Sequence, residues 1–139
     1  MPRSDSCVFC RIIRKDEPSE TIYEDEHTIA FLDITQATRG HTLVVPRAHS
    51  TALSDIDPSE AAAVMSAAVH VSRLLTRVLQ APGTNLWHAS GETAWQSVFH
   101  FHLHVVPRYT PTDLAAPWST TELPLESLRP LADLIRAAP

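Results

Sequence analysis

Residues 100–108 read HFHLHVVPR and place three of the chain's eight histidines at every second position. Successive side chains of a β-strand point to opposite faces, so this alternation predicts a strand over 98–107. His100, His102 and His104 would share one face, and the apolar residues between them would face the core. Neighbours on one face are about 7 Å apart, too far for one zinc ion with bonds of about 2.1 Å to bind all three. The three histidines are therefore expected to have different roles.

The remaining secondary-structure elements are predicted from hydrophobic periodicity and from residues that favour the ends of helices and strands. Asp57 is a suitable N-cap, Pro58 suits the first helical position, and apolar residues then recur at helical spacing, which predicts a long helix over 58–80. A short C-terminal helix is predicted over 125–138. Further strands are predicted over 21–24, 28–33, 40–47 and 85–90. This order predicts an α+β fold with an antiparallel five-stranded sheet.

The bulk properties predict a single domain over 1–139. A net charge of −5 argues against a nucleic-acid-binding protein, because such a protein needs a basic surface. We find no signal-peptide core and no apolar run near the roughly 20 residues of a membrane span. These observations predict a cytoplasmic protein without membrane association.

Cys7 and Cys10 form a C-x-x-C pair near the N-terminus. In a reducing compartment this spacing is typical of half a metal site or of a redox pair. A thioredoxin-like redox pair is disfavoured because no βαβ unit precedes it. A tetrahedral zinc site would need two further ligands, and a reduced, metal-free pair remains an alternative.

Three segments together resemble the histidine triad (HIT) family. Residues 100–106 match its His-apolar-His-apolar-His-apolar-apolar signature. Residues 7–34 look like the N-terminal block of bacterial members, and residues 40–49 look like the block that follows. The resemblance covers about 7–108 and points to the Hint-like branch of nucleotide hydrolases. It implies a single HIT fold, with its core at about 7–108 and a tail and helix over 109–139.

The resemblance also implies a covalent mechanism. His102 would attack the α-phosphorus of a nucleotide, and water would hydrolyse the resulting nucleotidyl-histidine. A neutral imidazole suits this role, because its ordinary pKa of about 6.5 leaves much of it unprotonated at pH 7. His104 would donate to the phosphate and the leaving group, and Ser97 would contact the phosphate or the leaving atom. Gln96 would belong to the loop around the phosphate, and His41 would support the nucleophile.

On the nucleoside side, the resemblance implies that the Asp33 carboxylate accepts hydrogen bonds from the ribose hydroxyls. Four apolar residues would line the slot for a purine base, although each is equally compatible with the hydrophobic core. These residues are Phe9, Phe31, Ile34 and Leu43.

The resemblance implies one structural zinc ion per chain. Among bacterial members with the C-x-x-C pair, two histidines complete the site. The four ligands here would be Cys7, Cys10, His49 and His100.

The chain departs from the family pattern in the loop before the triad. The family usually has Asn-x-Gly and Ala-Gly-Gln there, whereas this chain has Ala89 at the position of the Asn and Trp95 at that of the second Gly. His88 or Ser90 could replace the missing amide donor, although His88 has no counterpart in the family and is otherwise expected to be ordinary. Trp95 should narrow or reshape the mouth of the pocket. The alternatives are that its ring stacks on a ligand or that it packs at the rim or at a dimer interface.

These features predict a homodimeric HIT-type hydrolase or transferase. Its substrates would be purine nucleoside 5′-phosphoramidates or related nucleotidyl conjugates. The alternatives are a dinucleoside polyphosphate hydrolase, a weakly catalytic nucleotide-binding regulatory protein, and a zinc-stabilised interaction module.

Overall fold

A computed structural model describes residues 5–139 and contains a five-stranded antiparallel sheet in the order β1-β2-β3-β5-β4. The strands are Thr21–Glu24 (β1), Thr28–Leu32 (β2), Thr42–Pro46 (β3), Gly83–Trp87 (β4) and Leu103–Arg108 (β5). The helices are Val8–Ile13 (α1), Pro58–Leu79 (α2) and Leu125–Arg136 (α3), with a 3-10 turn at Glu92–Ala94. The predicted fold class is confirmed.

Helix α2 covers one face of the sheet. Its N-terminus is capped by Asp57, whose carboxylate accepts a hydrogen bond from the Ser59 N–H at 2.8 Å. Val64, Val71 and Leu75 on its buried side pack with residues of β2, β3 and β5. By length and composition alone this helix could cross a membrane, a property that the core helices of folded domains share. The prediction that no segment approaches a run of about 20 apolar residues is not contradicted, because polar residues such as His70, Ser72 and Arg73 interrupt α2.

A second apolar cluster covers the opposite face of the sheet. Phe9 and Ile12 of α1 pack there against Ile29, Phe31 and Val45. Because side chains alternate along a strand, the same strands bury their other residues against α2. The sheet is thus buried on both faces where α1 and α2 overlie it, and α1 brings the cysteine pair to the edge of this region.

The histidine segment differs from its prediction. β5 begins at Leu103, so His100 and His102 precede the strand rather than lying within it. Pairing between β5 and β3 stops at Leu103, and the His100 imidazole Nε2 donates to the main-chain oxygen of Pro46 at 2.8 Å. The Phe101 N–H donates to the carbonyl of Ser50 at 2.7 Å. Side-chain and loop hydrogen bonds thus replace the strand ladder here.

Candidate active site and metal centre

Four sulfur and nitrogen atoms converge beside α1. The Cys10 Sγ lies 3.3 Å from the His49 Nδ1 and 3.6 Å from the His100 Nδ1. The Cys7 Sγ lies 3.5 Å from the same His100 atom, and the two histidine Nδ1 atoms are 3.1 Å apart. All four donor atoms lie within 4.8 Å of one another. The structure therefore brings together all four residues predicted to bind zinc.

The spacing of these atoms fits tetrahedral zinc. With Zn–S bonds of about 2.3 Å and Zn–N bonds of about 2.1 Å, a tetrahedron separates sulfur from nitrogen by about 3.6 Å and two nitrogens by about 3.4 Å. The His100 Nε2 must carry a proton, since it donates to the carbonyl of Pro46, and its Nδ1 therefore presents a lone pair. Burial lowers the pKa of His100 to about 4, so the imidazole is neutral, as a ligand must be.

A main-chain oxygen determines which nitrogen of His102 carries its proton. Its Nδ1 lies 2.7 Å from the main-chain oxygen of His100. Because a carbonyl oxygen only accepts, Nδ1 carries the proton and Nε2 keeps its lone pair. The residue is only 5% exposed, and burial lowers the pKa of its imidazole. The edge of the Phe9 ring packs against it, with 5.2 Å between ring centroids.

His104 is held by a second histidine. The Ala37 N–H donates to the His41 Nδ1 at 3.1 Å, so the proton of a neutral His41 resides on Nε2. That Nε2 lies 2.8 Å from the His104 Nδ1 and 3.5 Å from a carboxylate oxygen of Asp33. The proton of a neutral His104 must then be on Nε2, the atom available to a ligand. His41 was expected to support the nucleophile, but the residue it contacts is His104.

Burial keeps both members of this pair neutral. It lowers the pKa of His41, although the Asp33 carboxylate opposes the shift. It also lowers the pKa of His104 to about 4, assisted by the neighbouring imidazoles of His102 and His41. In the absence of a ligand, neutral imidazoles are thus the resting state of the site near pH 7.

The two predicted loop residues, Gln96 and Ser97, differ in whether their side chains are free to contact a ligand. The Gln96 amide donates to the main-chain oxygens of Thr51 at 2.7 Å and Val98 at 3.0 Å, and its oxygen accepts from the Gly91 N–H at 2.7 Å. Both of its N–H donors are therefore used in holding the loop to which Gln96 was predicted to belong. Ser97 is exposed and lines the same cavity as His102.

The residues predicted to bind the nucleoside separate into two groups. Phe9, Phe31 and Leu43 are buried in the α1-side cluster, next to His102 through Phe9. Ile34 is fully exposed and takes no part in that cluster, because it lies beyond the end of β2. Asp33 is partly buried, and one of its oxygens accepts from the N–H and the hydroxyl of Thr35.

His88 and Ser90 form a further part of the site. The sequence did not decide whether either of them replaces the missing amide donor. The His88 Nδ1 lies 2.9 Å from the main-chain oxygen of His102, and its Nε2 lies 2.6 Å from the Ser90 hydroxyl. That hydroxyl in turn accepts from the Leu53 N–H at 2.8 Å. The His88 ring stacks on Phe101, with 4.4 Å between centroids. His88 is therefore not an ordinary surface histidine. The sequence feature that could have indicated this is its position next to Ala89, where the family's Asn is missing.

A cavity of about 740 Å³ opens over His102 and His104. Its outer wall consists of Trp87, Trp95 and part of the C-terminal tail that includes Trp118. The Trp87 ring stacks on Trp95 at 6.4 Å and on Trp118 at 5.6 Å between centroids, with interplanar angles of 19° and 20°. The sequence predicted a tail after residue 108 but did not indicate that it lines this cavity.

A five-stranded antiparallel sheet with alternating histidines, two of them facing a cavity, is the arrangement of histidine triad proteins. The chain belongs to this HIT family, since the family model described as the HIT domain matches residues 14–111. Members of the family are typically nucleotide-binding proteins and nucleotide hydrolases. The resemblance predicted from sequence is thereby confirmed.

Individual relatives agree with this assignment. A Bacillus subtilis relative named Protein hit is 42% identical over 118 residues, which are 84% of this chain and 81% of the relative. The crystal structure of a HIT family protein from Bacillus anthracis superimposes with a TM-score of 0.87 at 39% identity, covering 96% of both chains. A structure described as a Zn-bound histidine triad family protein from Mycobacterium smegmatis has a TM-score of 0.77 at 40% identity, covering 96% of this chain and 98% of that one.

One relative has an activity in its name. It is an adenylylsulfatase of Arabidopsis thaliana, 33% identical over 125 residues. The match covers 90% of this chain and 62% of the plant protein.

Proposed function

We propose that this protein is a HIT-type hydrolase that cleaves the α-phosphorus bond of purine nucleoside 5′-phosphoramidates through a nucleotidyl-histidine. The observation that supports this most strongly concerns the two imidazoles that face one cavity. One of them presents a lone pair to the cavity, and the other presents a proton. The His102 Nε2 offers a lone pair, because its Nδ1 is bonded to the His100 carbonyl. The His104 Nε2 offers a proton, because its Nδ1 accepts from His41.

The first step transfers the nucleotidyl group. The His102 Nε2 attacks the α-phosphorus, a bond forms between them, and the phosphorus–nitrogen bond to the leaving amine breaks. An anionic phosphate beside His104 favours its protonated form, so that His104 takes up a proton on Nδ1 when substrate binds. The His41 Nε2–H then turns from His104 to the Asp33 carboxylate oxygen, which lies 3.5 Å away. His104 then gives its Nε2 proton to the departing nitrogen, which leaves as a neutral amine.

The second step is hydrolysis. Water attacks the phosphorus of the nucleotidyl-His102, and the neutral His104 left by the first step accepts the proton of that water. The phosphorus–Nε2 bond breaks, releasing the nucleoside 5′-monophosphate and restoring His102. When the nucleoside monophosphate leaves, His104 releases to water the proton that it gained on substrate binding. His102 and His104 then both have their starting protonation, so atoms and charge balance over the cycle.

Zinc would have a structural role in this scheme. When bound by Cys7, Cys10, His49 and His100, it would crosslink α1 to the segment before β5. The carbonyl that orients the His102 ring belongs to His100, so anchoring His100 also fixes the direction of the nucleophile. Zinc bound by a homologue of known structure supports one ion per chain here.

We also infer a homodimer that forms along strand β4. This strand is at the edge of the sheet, and an edge strand has main-chain groups available for pairing with a second copy. Leu86 on this strand is 44% exposed. Light scattering on the purified protein tests this directly, and a monomer at micromolar concentration would contradict it.

The proposed activity is tested with adenosine 5′-phosphoramidate as substrate. Rapid quenching followed by intact-mass measurement should reveal a chain carrying one adenylyl group. His102→Ala should abolish this adduct and turnover, whereas His27→Ala, at an exposed histidine away from the cavity, should leave both unchanged. Absence of both adduct and turnover in the wild type would refute the proposal and leave a nucleotide-binding protein.

A second candidate substrate is adenosine 5′-phosphosulfate, favoured by the plant relative whose name is adenylylsulfatase. The same nucleotidyl-His102 would form, with sulfate rather than an amine as the leaving group. Measuring sulfate release beside amine release distinguishes the two substrates under one set of conditions.

A further inference from the structure

A second cavity opens beside the four residues that fit a zinc ion. It measures about 450 Å³, and its lining includes Cys7, His49 and Ser97. Cys7 is partly exposed, whereas Cys10 is fully buried. A small solute can therefore reach one of the two ligand sulfurs from solvent, while the protein shields the other. The two-step chemistry proposed above makes no use of this access.

The two cysteine sulfurs are close enough to form a disulfide. Cys7 immediately precedes α1, and its Sγ accepts a hydrogen bond from the Cys10 N–H at 3.3 Å. The two sulfurs lie within 4.8 Å of each other, and both cysteines are reduced. Because a disulfide bond is about 2.05 Å long, the sulfurs need to approach by less than about 3 Å. Both cysteines belong to one helical turn, so this approach requires no movement of the sheet.

A disulfide at this position is incompatible with a bound zinc ion. Zinc binds cysteine as the thiolate, and the sulfurs of a disulfide carry no negative charge. Only His49 and His100 would remain as ligands, which is half of a tetrahedral set. Oxidation of the pair should therefore release the metal.

The cysteine segment also contacts the proposed nucleophile. Phe9 lies between the two cysteines, and its ring centroid is 5.2 Å from that of His102 and 5.9 Å from that of His100. The main-chain oxygen of His100 accepts the hydrogen bond that orients the His102 ring. A change in the first turn of α1 and the loss of zinc from His100 would therefore both alter the position of His102.

From these observations we propose that Cys7 and Cys10 form a redox switch. A hydroperoxide oxidises the pair to a disulfide, which releases the zinc ion and slows attack by His102. The effect on catalysis rests on the proposed function. Disulfide formation and zinc release do not depend on it.

With hydrogen peroxide, the oxidation proceeds in two steps. The Cys7 thiolate attacks one oxygen, the oxygen–oxygen bond breaks, and Cys7 becomes a sulfenic acid while the other oxygen takes up a proton and leaves as water. The Cys10 thiolate then attacks the Cys7 sulfur, the sulfur–oxygen bond breaks, and the hydroxide leaves as water with a second proton. The two thiolates lose two electrons in total, the peroxide is reduced to water, and zinc leaves as Zn²⁺ with its oxidation state unchanged.

The first experiment treats the reduced, zinc-loaded protein with hydrogen peroxide and needs no substrate. A colorimetric indicator measures released zinc, and peptide mapping follows the tryptic peptide 4–11, which contains both cysteines and no methionine. This peptide should lose two hydrogens as about one zinc ion per chain is released, and a phosphine reductant with added zinc should reverse both changes. Thiols that survive prolonged treatment, zinc retained by the oxidised protein, or zinc release with both thiols intact would overturn the proposal.

Two variants separate disulfide formation from other damage by peroxide. Cys7→Asp retains an oxygen ligand for zinc but cannot form the disulfide, so it should keep its zinc under treatment that empties the wild type. Ser6→Asp is the matched control, because it adds the same charge to the lining of the same cavity and retains both thiols. It should release zinc as the wild type does. Zinc release from Cys7→Asp at the wild-type rate would contradict the switch.

The order of thiol reactivity provides a test that does not depend on whether Cys7→Asp binds zinc. In reduced wild-type protein stripped of zinc, iodoacetamide should label Cys7 at least about tenfold faster than Cys10, because only Cys7 is exposed to the cavity. Faster labelling of Cys10 would mean that the structure gives the wrong point of entry for the oxidant, and would overturn the proposal.

The effect on the nucleophile has two readouts. In the oxidised protein the rate of adenylation by adenosine 5′-phosphoramidate should fall about tenfold, and hydrogen exchange in residues 99–102 should increase. An adenylation rate equal to that of the reduced protein would overturn the effect on catalysis. Failure of the proposed function is distinguishable, because neither redox state would then be adenylated. Hydrogen exchange would in that case decide whether the disulfide acts on the histidine segment, and unchanged exchange would refute it.

Discussion

The His88 Nδ1 lies 2.9 Å from the main-chain carbonyl oxygen of His102, the residue that we propose as the nucleophile. Since a carbonyl only accepts, His88 donates here through Nδ1–H, and its Nε2 accepts from the Ser90 hydroxyl. His88 thus connects the loop that carries Ala89 to the segment that carries the nucleophile. It acts on the reaction only through the position of His102.

His88→Ala should therefore slow formation of the nucleotidyl intermediate about three- to tenfold, the value of one neutral hydrogen bond. Because Asn can place an amide N–H where the Nδ1–H was, His88→Asn should recover most of the rate. The measurement is single-turnover kinetics together with the Kd for adenosine 5′-monophosphate, which should change little. Equal losses of rate in both variants would contradict a positioning role.

His49→Asn should remove zinc from the protein. The remaining three ligands cannot complete a tetrahedral site, and the lost binding energy should lower the Tm by about 10 °C. Elemental analysis of untagged protein and thermal unfolding with and without a chelator provide the measurement. His27→Asn, at an exposed histidine outside the cluster, is the matched control and should retain one zinc per chain. Full zinc content in His49→Asn would disprove the four-ligand site.

Stability should depend on the protonation of His104. Its pKa is about 4 in the folded protein, because of burial first and neighbouring imidazoles second, against about 6.5 in an unfolded chain. Between these values the unfolded chain binds a proton that the folded protein does not, so the free energy of unfolding should fall as the pH decreases from about 6.5 to about 4. Urea titrations across this range should show a shallower dependence for His104→Asn. An identical slope in both proteins would refute this contribution.

Asp113 anchors the tail that lines the cavity. Its carboxylate accepts from the N–H groups of Tyr109 at 2.7 Å and Thr110 at 3.2 Å and pairs with Arg108, and the Tyr109 bond first of all lowers its pKa to about 2. Asp113→Asn should weaken these contacts and increase hydrogen exchange in residues 111–118.

The matched control for the tail is Asp133→Asn. Asp133 is also acidic and lies in α3, where its exposed side chain forms one contact of 3.5 Å with Arg136. Hydrogen exchange in residues 111–118 should be unaffected by this change. Unchanged exchange in Asp113→Asn would mean that other contacts hold the tail.

Gly40 allows the chain to turn into β3 just before His41. Its φ is +94°, and a Cβ atom there would lie 2.6 Å from the Leu79 Cδ1. Gly40→Ala should reduce the free energy of unfolding by about 2 kcal/mol, from backbone strain and the displaced leucine together. Gly91→Ala meets strain alone, since its φ is +87° with no atom within 4 Å, and should cost about 1 kcal/mol. Equal losses in the two variants would show that the Leu79 contact contributes nothing.

Secondary-structure elements whose ends are determined by neighbouring residues in the sequence were predicted well. Thr21–Glu24 was predicted with its observed bounds, and the start of α2 was correct because Asp57 and Pro58 act within one turn of chain. The start of β5 was predicted five residues early. That error has a tertiary cause, since Pro46 receives its hydrogen bond from a histidine side chain instead of from a continued strand.

The candidate site was predicted unevenly. The C-x-x-C spacing suggested half a metal site, but His49 and His100 were assigned by family resemblance, and the structure brings their Nδ1 atoms within reach of both sulfurs. Gln96 was predicted to belong to the loop around the phosphate, but the sequence did not indicate that both of its N–H groups hold that loop through main-chain oxygens. Trp118 was not predicted, because its contact with Trp87 joins parts of the chain far apart in sequence.

The sequence alone determined the α+β architecture, the HIT family and the alternation that separates the roles of His100, His102 and His104. Those properties depend on the periodicity of apolar residues in strands and helices and on short motifs. Both can be read from residues that are close together in the sequence. Tertiary structure alone decided which atom of each imidazole is protonated, since that depends on partners such as the His100 carbonyl and His41. Such partners come from segments that are far apart in the sequence. Whether they come into contact depends on strand register and loop conformation, which the periodicity of a short segment does not predict.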